Sequence, residues 1–271
     1  MNTNGNVTGS KPIVSGFGKL FIATVEDKGG VGKSVICDLL HAGFSQHELK
    51  VGLIDIDGSN SVGCMQHADA IFADTSDEGW QAMISKEIRD MPLPGGLDVL
   101  ILDTGARDGE RFQAELPGFA SRMARVGGRM LVIRPVTTNI FTHERAAQFA
   151  ADTQNTNVAV VTMEVRAQGR TEKHFQKWRN SENYKAAIAA GAVPTYVKNL
   201  GIEFMDDAVA CQLSIGDIAG ENFGKPTAHK RSRELFDDTS VVWAQDMIEE
   251  QMTIWLPAFM EALKKRENGN G

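Results

Sequence analysis

Lys28-Gly29-Gly30-Val31-Gly32-Lys33-Ser34 is a run whose residue types can bind phosphate. Glycines at 29, 30 and 32 let the backbone curl, so that successive N–H groups converge on phosphate oxygens. Lys33 offers a point charge to β- and γ-phosphates, and the Ser34 hydroxyl can ligate Mg²⁺. The apolar residues Leu20, Phe21, Ile22, Ala23 and Val25 precede the run, and Val35, Ile36, Leu39 and Leu40 follow it. The spacing therefore predicts a strand, a loop and a helix in that order. A helix opening at Lys33 aims the positive end of its dipole at a bound phosphate. A chance glycine-rich turn is the competing reading, but it does not account for Lys-Ser at this offset from a strand.

Two acidic strand ends could complete such a site. Leu97, Val99, Leu100, Ile101 and Leu102 run into Asp103-Thr104-Gly105-Ala106. An aspartate ending a buried strand can hold Mg²⁺ directly or through water. Val51, Gly52, Leu53 and Ile54 run into Asp55-Ile56-Asp57-Gly58. Asp and Gly also form turns: the Asp55–Gly58 end taken alone reads better as one, and the Asp103 end has the same alternative. Their positions downstream of the glycine loop favour the functional reading.

These residues need a frame that brings strand ends together. Further apolar runs at Met130–Ile133, Val158–Met163 and Ala192–Val197 read as strands. Helical spacing is read over Lys33–Gln46, Gly109–Val126, Thr142–Thr153, Lys173–Ala190 and Asp237–Lys265, with Pro117 and Pro257 expected to kink or split their helices. The alternation predicts an α/β fold, a mostly parallel twisted sheet with helices on both faces. Ligands bind such sheets at the carboxyl ends of the strands, where Lys33, Asp57 and Asp103 all fall. The 271 residues, 42% of them hydrophobic, suit one domain with a real core. It is expected over 18–266, between a disordered lead (1–17) and a tail (267–271).

With lysine at 28 and Asp27 where the ordinary P-loop pattern has glycine, the motif is a deviant Walker A. The chain here resembles the ParA/MinD family of P-loop ATPases, firmly over Leu20–Asp57, less so over Leu97–Phe149 and weakly beyond Val158. The resemblance implies ATP and Mg²⁺ as ligands, with residues Lys28 to Val35 around the nucleotide. Ser34, Asp57 and Asp103 fall near the metal, and Asp57 near the attacking water. It implies a homodimer in which Lys28 reaches the partner's nucleotide. Asp103-Thr104-Gly105-Ala106-Arg107-Asp108 is similar to the StbB/TraL branch of plasmid stability and conjugation ATPases. Arg107 is then a γ-phosphate sensor, a partner contact or a solvated loop arginine. Val35 stands where many relatives have a threonine for the α-phosphate, and Glu164 where many have an asparagine that reads adenine.

The rest of the chain bounds the alternatives. Cys37, Cys64 and Cys211 are scattered, without the Cys-x-x-Cys of a zinc or iron–sulfur site, and Cys37 reads as a small core residue. An odd cysteine count and a polar start without a signal pattern suit a cytoplasmic protein. His41, His47, His67, His143 and His174 lack metal spacing. His229, Lys230, Arg231 and Arg233 are either a solvated loop or a patch for nucleic acid or a partner protein; at net charge −7, non-specific DNA binding would need such a patch. Ile248, Met252, Trp255, Leu256, Phe259 and Leu263 form an apolar stripe, read as core packing ahead of membrane docking.

The function expected is a slow ATPase acting as a dimeric switch in plasmid partition, stability or conjugative transfer, with a DNA-binding or adaptor protein as partner. The rivals are a MinD-like membrane-positioning ATPase and a P-loop small-molecule ligase.

Overall fold

The computed structural model describes residues 16–57, 62–167, 170–198, 202–220 and 232–269. Seven parallel strands form one sheet in the order β3-β2-β4-β1-β5-β6-β7. They are β1 (Leu20–Thr24), β2 (Val51–Asp55), β3 (Ile71–Phe72), β4 (Val99–Asp103), β5 (Arg129–Val136), β6 (Val158–Val165) and β7 (Val193–Val197). The central strands β1, β4 and β6 are buried along their whole length, as a sheet covered on both faces requires.

The pleat divides the core in two. Leu20, Ile22, Val99, Ile101, Leu131 and Ile133 face one layer, which includes α1 (Lys33–Gln46) and the last helix, Asp238–Gly269. Phe21, Ala23, Leu100, Leu102, Met130 and Val132 face the other, with helices Trp80–Asp90, Gly109–Arg125 (α4) and Ile140–Asp152 (α5).

The expected helices are present with several differences. Lys173–Ala190 is not one helix. A 3-10 turn, Glu172–Phe175, and a short helix, Gln176–Arg179, precede Glu182–Ala189, because Ser181 takes an extended conformation and caps the last with its side chain. Pro117 and Pro257, by contrast, lie inside continuous helices. Phe17 is buried edge-on against Phe44, and Glu267, within the last helix, pairs with Arg129 at 3.1 Å.

The apolar stripe of the last helix is buried on the sheet, which bears out core packing. Trp255 Nε1 donates to the Tyr196 carbonyl at 2.8 Å. Among the described residues no helix is long and apolar enough to cross a membrane. The expectations for Gly58, His229, Lys230 and Arg231 lie outside the described residues; Arg233 is bound to Asp238 at 2.8 Å.

Candidate functional site

The glycine loop leaves β1 and enters α1 at Lys33, where the sequence predicts it to. Gly32 makes that entry possible. Its φ is +88°, a conformation L side chains rarely adopt, and a Cβ there would press on Val165 at 3.3 Å. As the residue capping α1, Gly32 offers no side-chain oxygen, and the first turn carries no acid. The leading N–H groups of α1 therefore have no side-chain cap, and a helix end in that state suits an anion.

The two lysines of the loop differ. Lys33 is buried, and its Nζ donates to the Lys28 carbonyl oxygen at 3.3 Å, folding the loop back on itself. Lys28 is exposed, and among the described residues its ammonium has no partner.

β4 pairs directly with β1, in a register that sets Asp103 opposite Thr24. The Ser34 hydroxyl lies close enough to the Asp103 carboxylate to favour its charged form, and Asp103 Oδ1 is buried and without a partner among the described residues. Burial pushes the Asp103 carboxyl up to about 7, against the pull of Ser34 and Lys33. An unsatisfied carboxylate oxygen beside a serine hydroxyl at the head of a phosphate loop is a donor pair that fits Mg²⁺.

The acids at the end of β2 have separate roles. Asp55 is buried and its carboxylate accepts from the N–H of Asp57 at 2.9 Å and of Cys64 at 3.2 Å; it shapes the strand end. Asp57 is half-buried and lies beside Gly105, just beyond Asp103: a Cβ at Gly105 would be 2.9 Å from Asp57 Oδ1 and would also meet Asp108 Oδ2. Asp57 and the Asp103 loop thus meet at the carboxyl edge of the sheet, next to the glycine loop. Asp108 is held from the other side by Thr75 Oγ1.

Glu164 ends β6 as a buried acceptor for Arg166 at 3.0 Å and Arg179 at 2.6 Å, with the Arg166 guanidinium stacked on Tyr196. Arg107 is exposed. Cys37 is a core thiol 3.2 Å from Thr24 Oγ1, pushed up by burial and so kept protonated. Among the described residues no group of histidines, cysteines and acids is arranged to hold a metal by itself.

The sequence reading missed a charged quartet directly before the loop. Glu26 is fully buried and pairs with Arg134 at 2.9 Å, and Arg145 bridges Glu26 and Asp27 at 3.4 and 2.6 Å. Its signal was an acidic pair following an apolar strand, where an uncompensated charge is costly.

No family model matches the chain, and no curated protein does. Among solved structures it is similar to a ParA family ATPase from Chlorobium tepidum TLS, at 16% identity over 84% of this chain and 98% of that one, with a TM-score of 0.44. It is also similar to a chain of the MinC:MinD cell division protein complex of Aquifex aeolicus (14% identity, 80% and 95% covered, TM-score 0.45). The 54 kDa signal recognition particle protein of Aeropyrum pernix K1, in complex with GDP, gives 13% identity, 95% and 81% covered, and a TM-score of 0.45. At these values the likeness identifies neither activity nor ligand, and the loop's own residues carry the reading.

Proposed function

We propose that the chain is a nucleotide-driven molecular switch that binds ATP with Mg²⁺, pairs with a second copy of itself and hydrolyses ATP slowly to separate again. The observation that carries this reading is the division of labour between the two lysines. Lys33 is turned into the loop, while Lys28 stands exposed, without a partner among the described residues, at the carboxyl edge of the sheet.

In this reading the backbone of residues 28–35 wraps the phosphates and Lys33 exchanges the Lys28 carbonyl for phosphate oxygens. Ser34 and Asp103 hold Mg²⁺, with Asp57 alongside; the ion neutralises charge on the β- and γ-phosphates. Asp57 orients a water for in-line attack on the γ-phosphorus, and the bond to the bridging oxygen breaks toward ADP. Lys28 reaches the nucleotide of the second subunit. Such catalysis is mostly positioning and charge stabilisation.

Exposed Ile140 and Phe141 support a contact at the same edge. They open α5 just after β5, the parallel neighbour of β1, and Lys28 lies in the loop that follows β1. The run from Asp103 to Asp108 supports a role in plasmid partition, stability or conjugative transfer, with turnover stimulated by DNA or an adaptor protein.

The test is molar mass by light scattering with ADP, and with ATP plus Mg²⁺, for the native chain and Lys28→Ala. ATP should double the mass of the native chain only. A mass indifferent to nucleotide and to Lys28 would remove the reading.

A further inference from the structure

The Glu26, Asp27, Arg134 and Arg145 quartet is not used by the chemistry above, yet it puts a buried Glu26–Arg134 pair directly before the loop. Burying an ion pair costs desolvation that its attraction barely offsets, so its place in the fold needs a reason beyond stability. The place is specific. Glu26 and Asp27 are the two residues before Lys28, and Asp27 occupies the position of the first glycine in an ordinary P-loop. Arg134 comes from β5 and lies 4.8 Å over the Phe149 ring. Arg145 comes from the second turn of α5, and Ala146, Phe149 and Ala150 fix that helix in the core. A single Arg145 guanidinium nitrogen, Nη1, contacts both acids. Asp27 is further confined by Gly109 at the head of α4, where any Cβ would collide with Asp27 Oδ1.

We propose that Arg145 is a positioning residue for Lys28. By clamping Glu26 and Asp27 to α5, it fixes the direction in which the chain leaves β1 and holds the Lys28 ammonium out for the second subunit's phosphates. The inference rests on Lys28 acting across a dimer. It assigns Arg145 no contact with nucleotide in its own subunit. The fixed entry offsets the entropy of ordering a flexible lysine when the subunits close.

Subunit mixing tests it. Arg145 is 45% exposed at its side chain, and Glu26 keeps Arg134 when Arg145 is lost, so Arg145→Ala should fold with an unchanged melting temperature. Its turnover should fall about tenfold or more while ADP affinity stays within about twofold. Arg145→Lys should restore part of the turnover. In a 1:1 mixture with Lys33→Ala, at ATP high enough to fill the weakened Lys33→Ala site, Arg145→Ala should recover turnover toward about a quarter of native at most, because mixed dimers hold one complete site. Mixed with Lys28→Ala it should recover nothing. Asp27→Ala, which cuts the same link from the other end, should repeat this pattern.

Recovery with Lys28→Ala would mean that Arg145 acts within its own subunit, and would overturn the proposal. Native turnover in Arg145→Ala or Asp27→Ala would do the same. The control mixture of Lys28→Ala with Lys33→Ala separates the failures. If it complements while Arg145→Ala with Lys33→Ala does not, this proposal alone falls; if it does not complement, the cross-subunit reading falls and takes the proposal with it.

Discussion

Lys33 donates from its ammonium to the Lys28 carbonyl oxygen at 3.3 Å, so one lysine of the loop holds the backbone of the other. Lys33→Ala should remove both the loop's internal tie and the charge offered to phosphate. Calorimetry should show ATP and ADP binding weakened at least about a hundredfold, by analogy with losing a charge-assisted contact in a partly buried site. The melting temperature without nucleotide should change little.

Asp57 is the half-buried acid at the end of β2, beside Gly105. Asp57→Asn should keep nucleotide affinity within a few-fold and lower turnover by about two orders of magnitude, as removing a positioned water-orienting group does. Stopped-flow binding and phosphate release would separate the two effects. A matched loss of affinity would make Asp57 a binding residue instead.

Asp103 carries a testable pH signature. Burial raises its carboxyl from the usual range to about 7. The folded chain therefore favours the protonated acid, and stability is lost as pH rises from about 4 through about 7. Asp103→Asn should raise the melting temperature of the nucleotide-free protein at pH 8, by the equivalent of at most about 4 kcal/mol. The native protein should bind Mg²⁺-nucleotide more tightly at pH 8 than at pH 6, and the variant should lose both the metal effect and its pH dependence.

His67 and Asp38 should give a slope of the same sign in a higher pH window. Burial lowers the His67 pKa, but the hydrogen bond from Nε2 to Asp38 Oδ1 at 3.1 Å and the charges of Asp38, Asp217 and Asp69 raise it further, leaving it above the ordinary value. A raised histidine contributes stability that is complete below about 6.5 and disappears as pH climbs through the folded value. Asp38 also accepts from the Ile215 N–H at 2.9 Å, so the pair ties α1 to the segment before the last helix. Above about pH 7, where the Asp103 slope is ending, the melting temperature should keep falling in the native chain and be nearly flat in His67→Gln. A flat native curve would remove the charged pair.

What could be read from sequence was what local pattern encodes. The glycine loop, the helix starting at Lys33 and the apolar strands ending in Asp55 and Asp103 each announce themselves within about ten residues. The two-residue strand Ile71–Phe72 is too short to show a period. Helix Trp80–Asp90 does carry a signal, Trp80, Ile84 and Ile88 at four-residue spacing, which went unread. Ser181 was legible as a cap, yet the apolar residues on either side suggested one continuous helix. Pro117 and Pro257 were over-read, because tertiary packing held both helices through the local penalty. The acidic pair Glu26-Asp27 after an apolar strand hinted at buried partners, but their identity was out of reach, since Glu26 and Arg134 are 108 positions apart and no local rule pairs them.

Gly43, near the far end of the helix that begins at Lys33, lies so close to Met252 that a Cβ would strike its sulfur. Ile36, Leu39, Leu40 and Phe44 share one core with Ile248, Trp255 and Phe259. The loop that would grip nucleotide leaves the ribosome some two hundred residues before the surface that steadies its helix. During synthesis the early strands have a loop without its backing. In the proposed switch, firm nucleotide capture would then wait until the helix Asp238–Gly269 has been made and has docked on the helix that follows the loop.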